Sequence, residues 1–242
     1  MEFLVFRLYG PLAAWGEVAV GEHRHSATFP GKSAIIGLLG AALGLRRDDT
    51  EAQQALAEGY CLAVRTEHPG DLLRDYHTTQ RVTRPGKRRF YTRRDELLHD
   101  GLSTVLSQRD YRSDGHWLIA LWSRPEAPYG LVDLGSALRR PVFPLYLGRK
   151  SCPPALPLNP ELVESATLRA AFDLYPALPA VLADLPEQRV RHCYWEQLDD
   201  TLAGFLDAMV HARRDHPLDR MRWQFSERSL FEAIYDTEDS NG

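Results

Sequence analysis

One segment constrains the fold more than any other: Lys32 to Leu45, reading KSAIIGLLGAALGL. Its apolar residues lie all round a helix, and its Gly and Ala positions leave small faces for close packing. Such a helix cannot stand in water. It predicts tight packing against a sheet and an end near Gly44.

Strand material for that sheet stands on both sides. Phe3 to Tyr9 (FLVFRLY) reads as a buried strand closed by Gly10-Pro11, and Ala13 to Phe29 as loop or irregular strand. Asp49 to Glu58 is a short polar helix, and Tyr60 to Arg65 a second strand. His116 to Trp122 is a third strand, stopped by Arg124-Pro125. Gly130 to Arg139 has helical spacing, and Val142 to Leu147 (VFPLYL) reads as a fourth strand. The order β-α-β-arm-β-α-β predicts an α+β fold of the ferredoxin-like (RRM-like) kind over residues 1–150. Beyond Gly148 the chain turns proline-rich. Residues 151–242 are expected to form a smaller β-containing C-terminal region, with a strand at Arg189 to Glu196 and an acidic, frayed end from Asp236.

The arm is the segment at about 74–115. It is too long, too basic and too polar to be core, and Pro85-Gly86 marks a turn, so it predicts a projecting thumb hairpin. From Arg74 to Arg94 it holds eight Arg and Lys against the single acid Asp75, a net +7. The whole chain carries −4, so the remainder stands at −11. A basic arm on an acidic body suggests a protein that touches nucleic acid at one place, as part of something larger.

Several classes are set aside. No apolar run reaches the roughly 18 residues of a membrane span, and no signal peptide is apparent. Cys61, Cys152 and Cys193 are far apart and form no CxxC, so neither a disulfide framework nor a zinc site is expected, and a reducing cytoplasm fits. No cofactor is called for.

The candidate chemistry is cationic. Gly31-Lys32-Ser33 opens a helix as in a phosphate-binding loop, but the glycine required five positions earlier is Ser26, so nucleotide hydrolysis is not expected. What remains is either a helix N-terminus at which Lys32 and Ser33 hold an RNA phosphate, or a plain Ser cap with a solvated Lys. Gly148-Arg149-Lys150-Ser151 is either a phosphate-holding turn or an ordinary exposed one. In the arm, Tyr76, Phe90, Tyr91 and Tyr111 stand among arginines, which suits either stacking on unpaired bases or a solvated charged hairpin. His23 and His25 alternate but lack a third metal ligand, and read as surface histidines. Tyr76-His77 is the one pair with acid–base potential for RNA cleavage. The aromatic signature of the common RNA-recognition motif is missing from His116-Trp117-Leu118-Ile119.

Several segments together resemble one family. They are Arg7-Leu8-Tyr9-Gly10-Pro11-Leu12 with Trp15-Gly16, Phe29-Pro30 with Lys32-Ser33, and Gly37-Leu38-Leu39-Gly40-Ala41. Leu43-Gly44 with Arg47-Asp48-Asp49, Leu73-Arg74-Asp75-Tyr76-His77-Thr78 and Tyr146-Leu147-Gly148-Arg149-Lys150-Ser151-Cys152-Pro153 follow in order. They are similar to the CasD-type, type I-E branch of the fifth numbered Cas family, over about the first two-thirds of the chain. The resemblance implies a ferredoxin-like domain with a thumb, in the multi-subunit CRISPR complex Cascade. It implies a non-catalytic subunit that caps the 5′ handle of the guide RNA, contacts the subunits CasC and CasA, and meets target DNA through the assembled complex, where base pairing supplies specificity. In type I-E systems another subunit, CasE, cuts the precursor. Related members of another subtype cleave RNA, so a metal-independent endoribonuclease is the alternative. A subunit that contacts only protein is a third reading. Gln108-Arg109-Asp110-Tyr111 aligns with the family's base-inserting Arg and neighbouring Tyr. Lys32, Ser33, Tyr76, His77, Arg109, Tyr111, Arg149, Lys150 and Ser151 are thus the expected RNA-binding residues, with no catalytic or metal-binding residue.

Overall fold

The computed structural model describes residues 1–17, 19, 21–83, 89–176, 190–205, 207–219, 222 and 224–236. Arg84, Pro85, Gly86, Lys87, Arg88 and Arg189 lie outside the described residues, as does the acidic end beyond Asp236.

The chain runs β1 (Glu2–Ala13), β2 (His23–Arg24), α1 (Lys32–Leu43), α2 (Thr50–Glu58), β3 (Tyr60–His68), β4 (Asp71–Val82), α3 (Arg93–Leu97) and β5 (Leu102–Ser123). It continues through α4 (Leu131–Arg139), β6 (Glu161–Glu164), α5 (Leu168–Asp173), β7 (Val190–Trp195), α6 (Asp200–Ala203), β8 (Met209–Asp219) and β9 (Gln224–Asp236). Among the described residues all strands join one large, mainly antiparallel sheet, ordered β6-β1-β5-β3-β7-β9-β8, with β2 and β4 also pairing with β5. The C-terminal strands therefore continue the sheet begun by the N-terminal ones.

Alternation sorts side chains onto two faces. Leu4, Phe6 and Leu8 of β1, Leu62 and Val64 of β3, and Trp117, Ile119 and Leu121 of β5 pack under α1, α2 and α4. Phe3, Val5, Cys61, Ala63, Leu118, Ala120 and Trp122 point the other way and meet α5, Trp195 and Phe205. Helix α1 is as apolar as its sequence requires: Ile35, Ile36 and Leu39 are wholly buried. It ends at Gly44, whose left-handed backbone (φ 78°) caps the last turn.

Two expectations need correction. The strand from Phe3 does not stop at Gly10-Pro11. It continues to Ala13, pairing Gly10 with Gly115 and Leu12 with Ser113. Val142 to Leu147 is not a strand. Pro141 and Pro144 interrupt it. The backbone donors of Val142 and Phe143 go instead to the carbonyls of Ala42 (3.0 Å) and Ala41 (3.0 Å). These carbonyls lie in the last turn of α1, and that of Ala41 also accepts the Gly44 N–H (3.2 Å). The place beside β1 belongs to β6, with Glu2 opposite Glu164 and Val5 opposite Glu161.

The arm is a hairpin. Strand β4 pairs with the outer half of β5 from Asp71–Ser113 to Val82–Leu102. Most of β4 is exposed, and α3 lies toward the tip.

Candidate nucleic-acid interface

Turn 148–151 sits where the thumb leaves the sheet. Gly148 has φ 83°, and a Cβ there would come within 1.8 Å of the Ala14 carbonyl oxygen, so only glycine fits. The turn delivers Arg149 onto the thumb root. Its guanidinium carbon lies 4.5 Å from the centre of the Tyr111 ring. Its terminal nitrogens donate to the carbonyls of Asp110 (3.1 Å) and Arg24 (3.2 Å). Among the described residues three of its five N–H groups have no bond of this kind and can serve an incoming anion. Lys150 and Ser151 beside it are exposed.

The thumb root is held by Asp110. Its buried carboxylate accepts two hydrogen bonds from Arg74 (2.8 and 3.1 Å) and faces Nδ1 of His25 at 3.3 Å. Hydrogen bonding by Arg74, with His25 adding to it, holds Asp110 below the usual carboxylate range against the opposing effect of burial. His25 is thus engaged with the thumb. Among the described residues no group of three or more His, Cys, Asp or Glu could hold a metal ion.

A trench runs along the outer face of α1. Its middle is a cavity of about 230 Å³ lined by Ser33, Ala34, Gly37, Leu38, Tyr146 and Arg149, among others. Toward the C-terminal end of α1 it opens into a space of about 640 Å³ beside Arg46, Arg47, Phe143 and Tyr146. Toward the other end it opens into about 630 Å³ beside Ser33, Arg213, Arg214 and Phe225. Cations from three chain regions thus border one groove. Glu17, Asp48 and Asp215 are acidic neighbours: Asp48 lies 3.4 Å from Arg46, and Asp215 3.3 Å from Arg213.

The expected residues divide between this groove, the thumb and the core. Ser33 and Arg149 line the trench. Lys32 does not. It is wholly buried, and its Nζ donates to Glu196 Oε1 (2.8 Å) and the Tyr60 carbonyl (3.0 Å). The first turn of α1 is not open to a phosphate either, because Asp215 Oδ2 on β8 accepts the Lys32 N–H at 2.9 Å. Gly31 permits that approach, since a Cβ would lie 2.8 Å from the same oxygen. The expectation that Lys32 holds RNA therefore fails: the protein's own carboxylates occupy both the ammonium and the helix end.

On the thumb, the register puts Arg109 and Tyr111 on one face with Asp75 and His77. Tyr76 lies on the other, opposite Gln108. Arg109 and Tyr76 are exposed. Tyr111 is not: its ring is buried, with Arg149 over it, so it orders Arg149 rather than offering a stacking surface. His77 contacts the Asp75 carboxylate on the exposed ribbon.

Sequence reasoning missed Tyr146, Phe225 and the pair Arg46-Arg47 as groove residues. Tyr146 stood in the supposed fourth strand, and Arg47 entered only as part of the family resemblance. Phe225 lies on a strand that carried no signal.

A mixed α/β body with one large, mainly antiparallel sheet, a ribbon-like thumb and a cation-bordered trench defines the class. Residues 3–231 match the model of the family described as CRISPR-associated protein (Cas_Cas5). The chain belongs to this Cas5 family. It is 38% identical over 160 residues to the CRISPR system Cascade subunit CasD of Escherichia coli (strain K12), a match covering 64% of this chain and 69% of that one. A solved chain titled as a CRISPR RNA-guided surveillance complex shares the fold, with a TM-score of 0.67, 24% identity, and 97% and 90% of the two chains covered. Another, titled as a Cas protein crystal structure, gives 0.65 at 26% identity, covering 98% and 96%.

Proposed function

We propose that this chain is a non-catalytic RNA-binding subunit that holds the 5′ handle of a CRISPR guide RNA and helps assemble the RNA-guided complex that surveys DNA. The observation that carries the proposal is the trench, where Arg149, Arg47 and Arg46 converge on one groove from separate chain regions. Cations set in a groove with aromatic side chains suit single-stranded RNA, whose phosphates and splayed bases they meet together. The relationship to CasD, named as a Cascade subunit, supports the same reading. CasC and CasA are the expected neighbours, and the cytoplasm the expected place. Among the described residues no helix is long and apolar enough to cross a membrane.

The finer fold reading supports this role. Within the sheet, β6-β1-β5-β3 are antiparallel neighbours, and α1 and α4 lie on one face. That is the arrangement expected of a ferredoxin-like unit. In this reading residues 1 to about 150, with the thumb, form the RNA-holding body. The smaller region, 151–242, adds its edge strand β6 and braces α1 through Glu196 and Asp215.

The test is binding of labelled handle RNA to the purified chain across a salt series. Combined Arg47→Ala, Arg149→Ala and Lys150→Ala changes should weaken binding and lessen the log–log salt slope by about 0.7 for each phosphate no longer neutralised. An unchanged slope removes the trench from the RNA path. Site-specific cutting of repeat RNA, abolished by His77→Ala, would establish the ribonuclease instead.

A further inference from the structure

The middle of the trench differs in size from its two ends. At about 230 Å³ it is the smallest of the three spaces. Its floor is made of small and aliphatic groups, Ala34, Gly37 and Leu38. Tyr146, 42% exposed, stands between it and the larger space at Arg46-Arg47. Polar groups sit at its border: the Ser33 hydroxyl, Arg47, and Arg149 with N–H groups to spare. Phosphates gain nothing from an apolar floor, since a buried charge needs a partner there. A nucleobase has flat apolar faces and a polar edge, which is the pattern of this space.

We infer that the middle cavity takes one unpaired base of the bound RNA, stacked on Tyr146 with its edge toward Ser33, while the backbone runs past Arg149 and Arg46-Arg47. The inference rests on the RNA-binding reading above and adds a base subsite to it. The base enters because the groove narrows there to a single small space between two wide ones. One nucleotide therefore turns inward while its neighbours stay in the open parts. The cavity exists because α1 carries Gly37 at the floor, where that residue is only half-buried. A larger side chain there would fill the space and change no charge.

The experiment uses the full chain and handle RNA carrying a single abasic site at each position in turn. Gly37→Leu should keep the fold, since leucine favours a helix over glycine. It should weaken RNA binding by about 5- to 140-fold, the range expected for one stacked base, with the salt slope of the unaltered chain. Tyr146→Ala should do the same. One abasic position should weaken the unaltered chain by a similar factor and have almost no further effect on either variant. If both variants are folded and bind as the unaltered chain does, or if every abasic RNA binds within twofold of the intact one, the base subsite is wrong while the RNA-binding reading stands. If the unaltered chain binds no handle RNA at 50 mM salt, the RNA-binding reading fails and takes the subsite with it.

Discussion

Arg149 lies over the ring of Tyr111, 4.5 Å from guanidinium carbon to ring centre, and donates to the carbonyl of the neighbouring Asp110. This one side chain ties the turn after Leu147 to the root of the thumb, so groove and thumb are set at a fixed mutual position. The tie depends on shape as well as charge, because a planar guanidinium can stack and fork where an ammonium cannot. Arg149→Lys should therefore cost stability while keeping a cation. Losing the stacking and part of the hydrogen bonding costs about 1–2 kcal/mol, a fall of a few degrees in Tm for a chain of this size. Thermal unfolding checks the first part and the RNA salt series the second. A drop in salt slope as large as that of Arg149→Ala would show that geometry, not charge, sets the phosphate interaction.

Lys32 gives the opposite pattern. Its ammonium and the Glu196 carboxylate are both buried, and Glu196 also accepts the Leu62 N–H at 2.9 Å and faces Arg228 at 3.5 Å. Lys32→Met leaves a buried carboxylate short of one partner, a loss on the order of 3–5 kcal/mol. Lys32→Met combined with Glu196→Gln should recover more than half of it. Denaturant unfolding measures both. The folded fraction of Lys32→Met should show the RNA salt slope of the unaltered chain, and a slope reduced by one whole phosphate would put Lys32 back at the RNA.

The contrast shows what the sequence could express. Helices α1 and α2, strands β1, β3 and β7 and the inner half of β5 were legible because hydrophobic period and local stop signals encode them. The ends were less so: β1 passes through Gly10-Pro11 because Gly115 and Ser113 are there to pair with it. Lys32 was illegible in principle. The residues that bury it, Glu196 and Asp215, are 164 and 183 positions away. The same holds for Val142 to Leu147, an apolar run whose donors are claimed by the end of α1. Strand β8, reading MVHARRDHPLD, has little strand character, and its Asp215 is buried only because α1 and Arg228 meet it. The thumb was legible as a whole from charge and length, whereas the two faces of its ribbon follow from a register that no local signal fixes.

His116 predicts a pH dependence. It is 1% exposed, and neither ring nitrogen has a hydrogen-bond partner among the described residues. Burial pushes its pKa down to about 3, with Arg7, Arg65 and Arg191 adding to the effect. The folded value thus lies below the ordinary 6.5, so the unfolded chain binds the extra proton between these limits. The stability linked to this group is fully present above pH 6.5 and is lost as pH falls toward 3. The loss approaches about 1.4 kcal/mol per pH unit within that window. His116→Leu removes the unpaired ring and should be near neutral or stabilising at pH 7.5, with a shallower fall on acidification. Urea midpoints at pH 7.5, 6, 5 and 4.5 decide it. Parallel pH profiles for the two proteins would mean that the ring finds a partner in solution.

Arg109 carries the last prediction. It is exposed on β5, on the face that Tyr111 and Arg149 share, with Asp75 across from it on β4 and Arg24 beside it on β2. Two residues along a strand is about 7 Å, so Arg109 stands next to the Arg149–Tyr111 pair, where groove gives way to thumb. There its flat guanidinium can lie against a base while its donors reach a phosphate. A base held in this way is withdrawn from pairing, and pairing of the next segment of guide then starts in a fixed register. A stacked base is worth about 1–3 kcal/mol, so Arg109→Ala should loosen the handle by more than one outer charge does. Arg81, farther out on β4 opposite Ser103, supplies that comparison. The measurement is guide-RNA retention in the assembled complex with each variant, together with chemical reactivity of the bases at the handle–spacer junction. Arg109→Ala should lower retention and raise reactivity at one junction base, and Arg81→Ala should do neither. Should Arg109→Ala keep unaltered retention and junction reactivity, the thumb root does not hold a base, and the thumb serves as a protein contact alone.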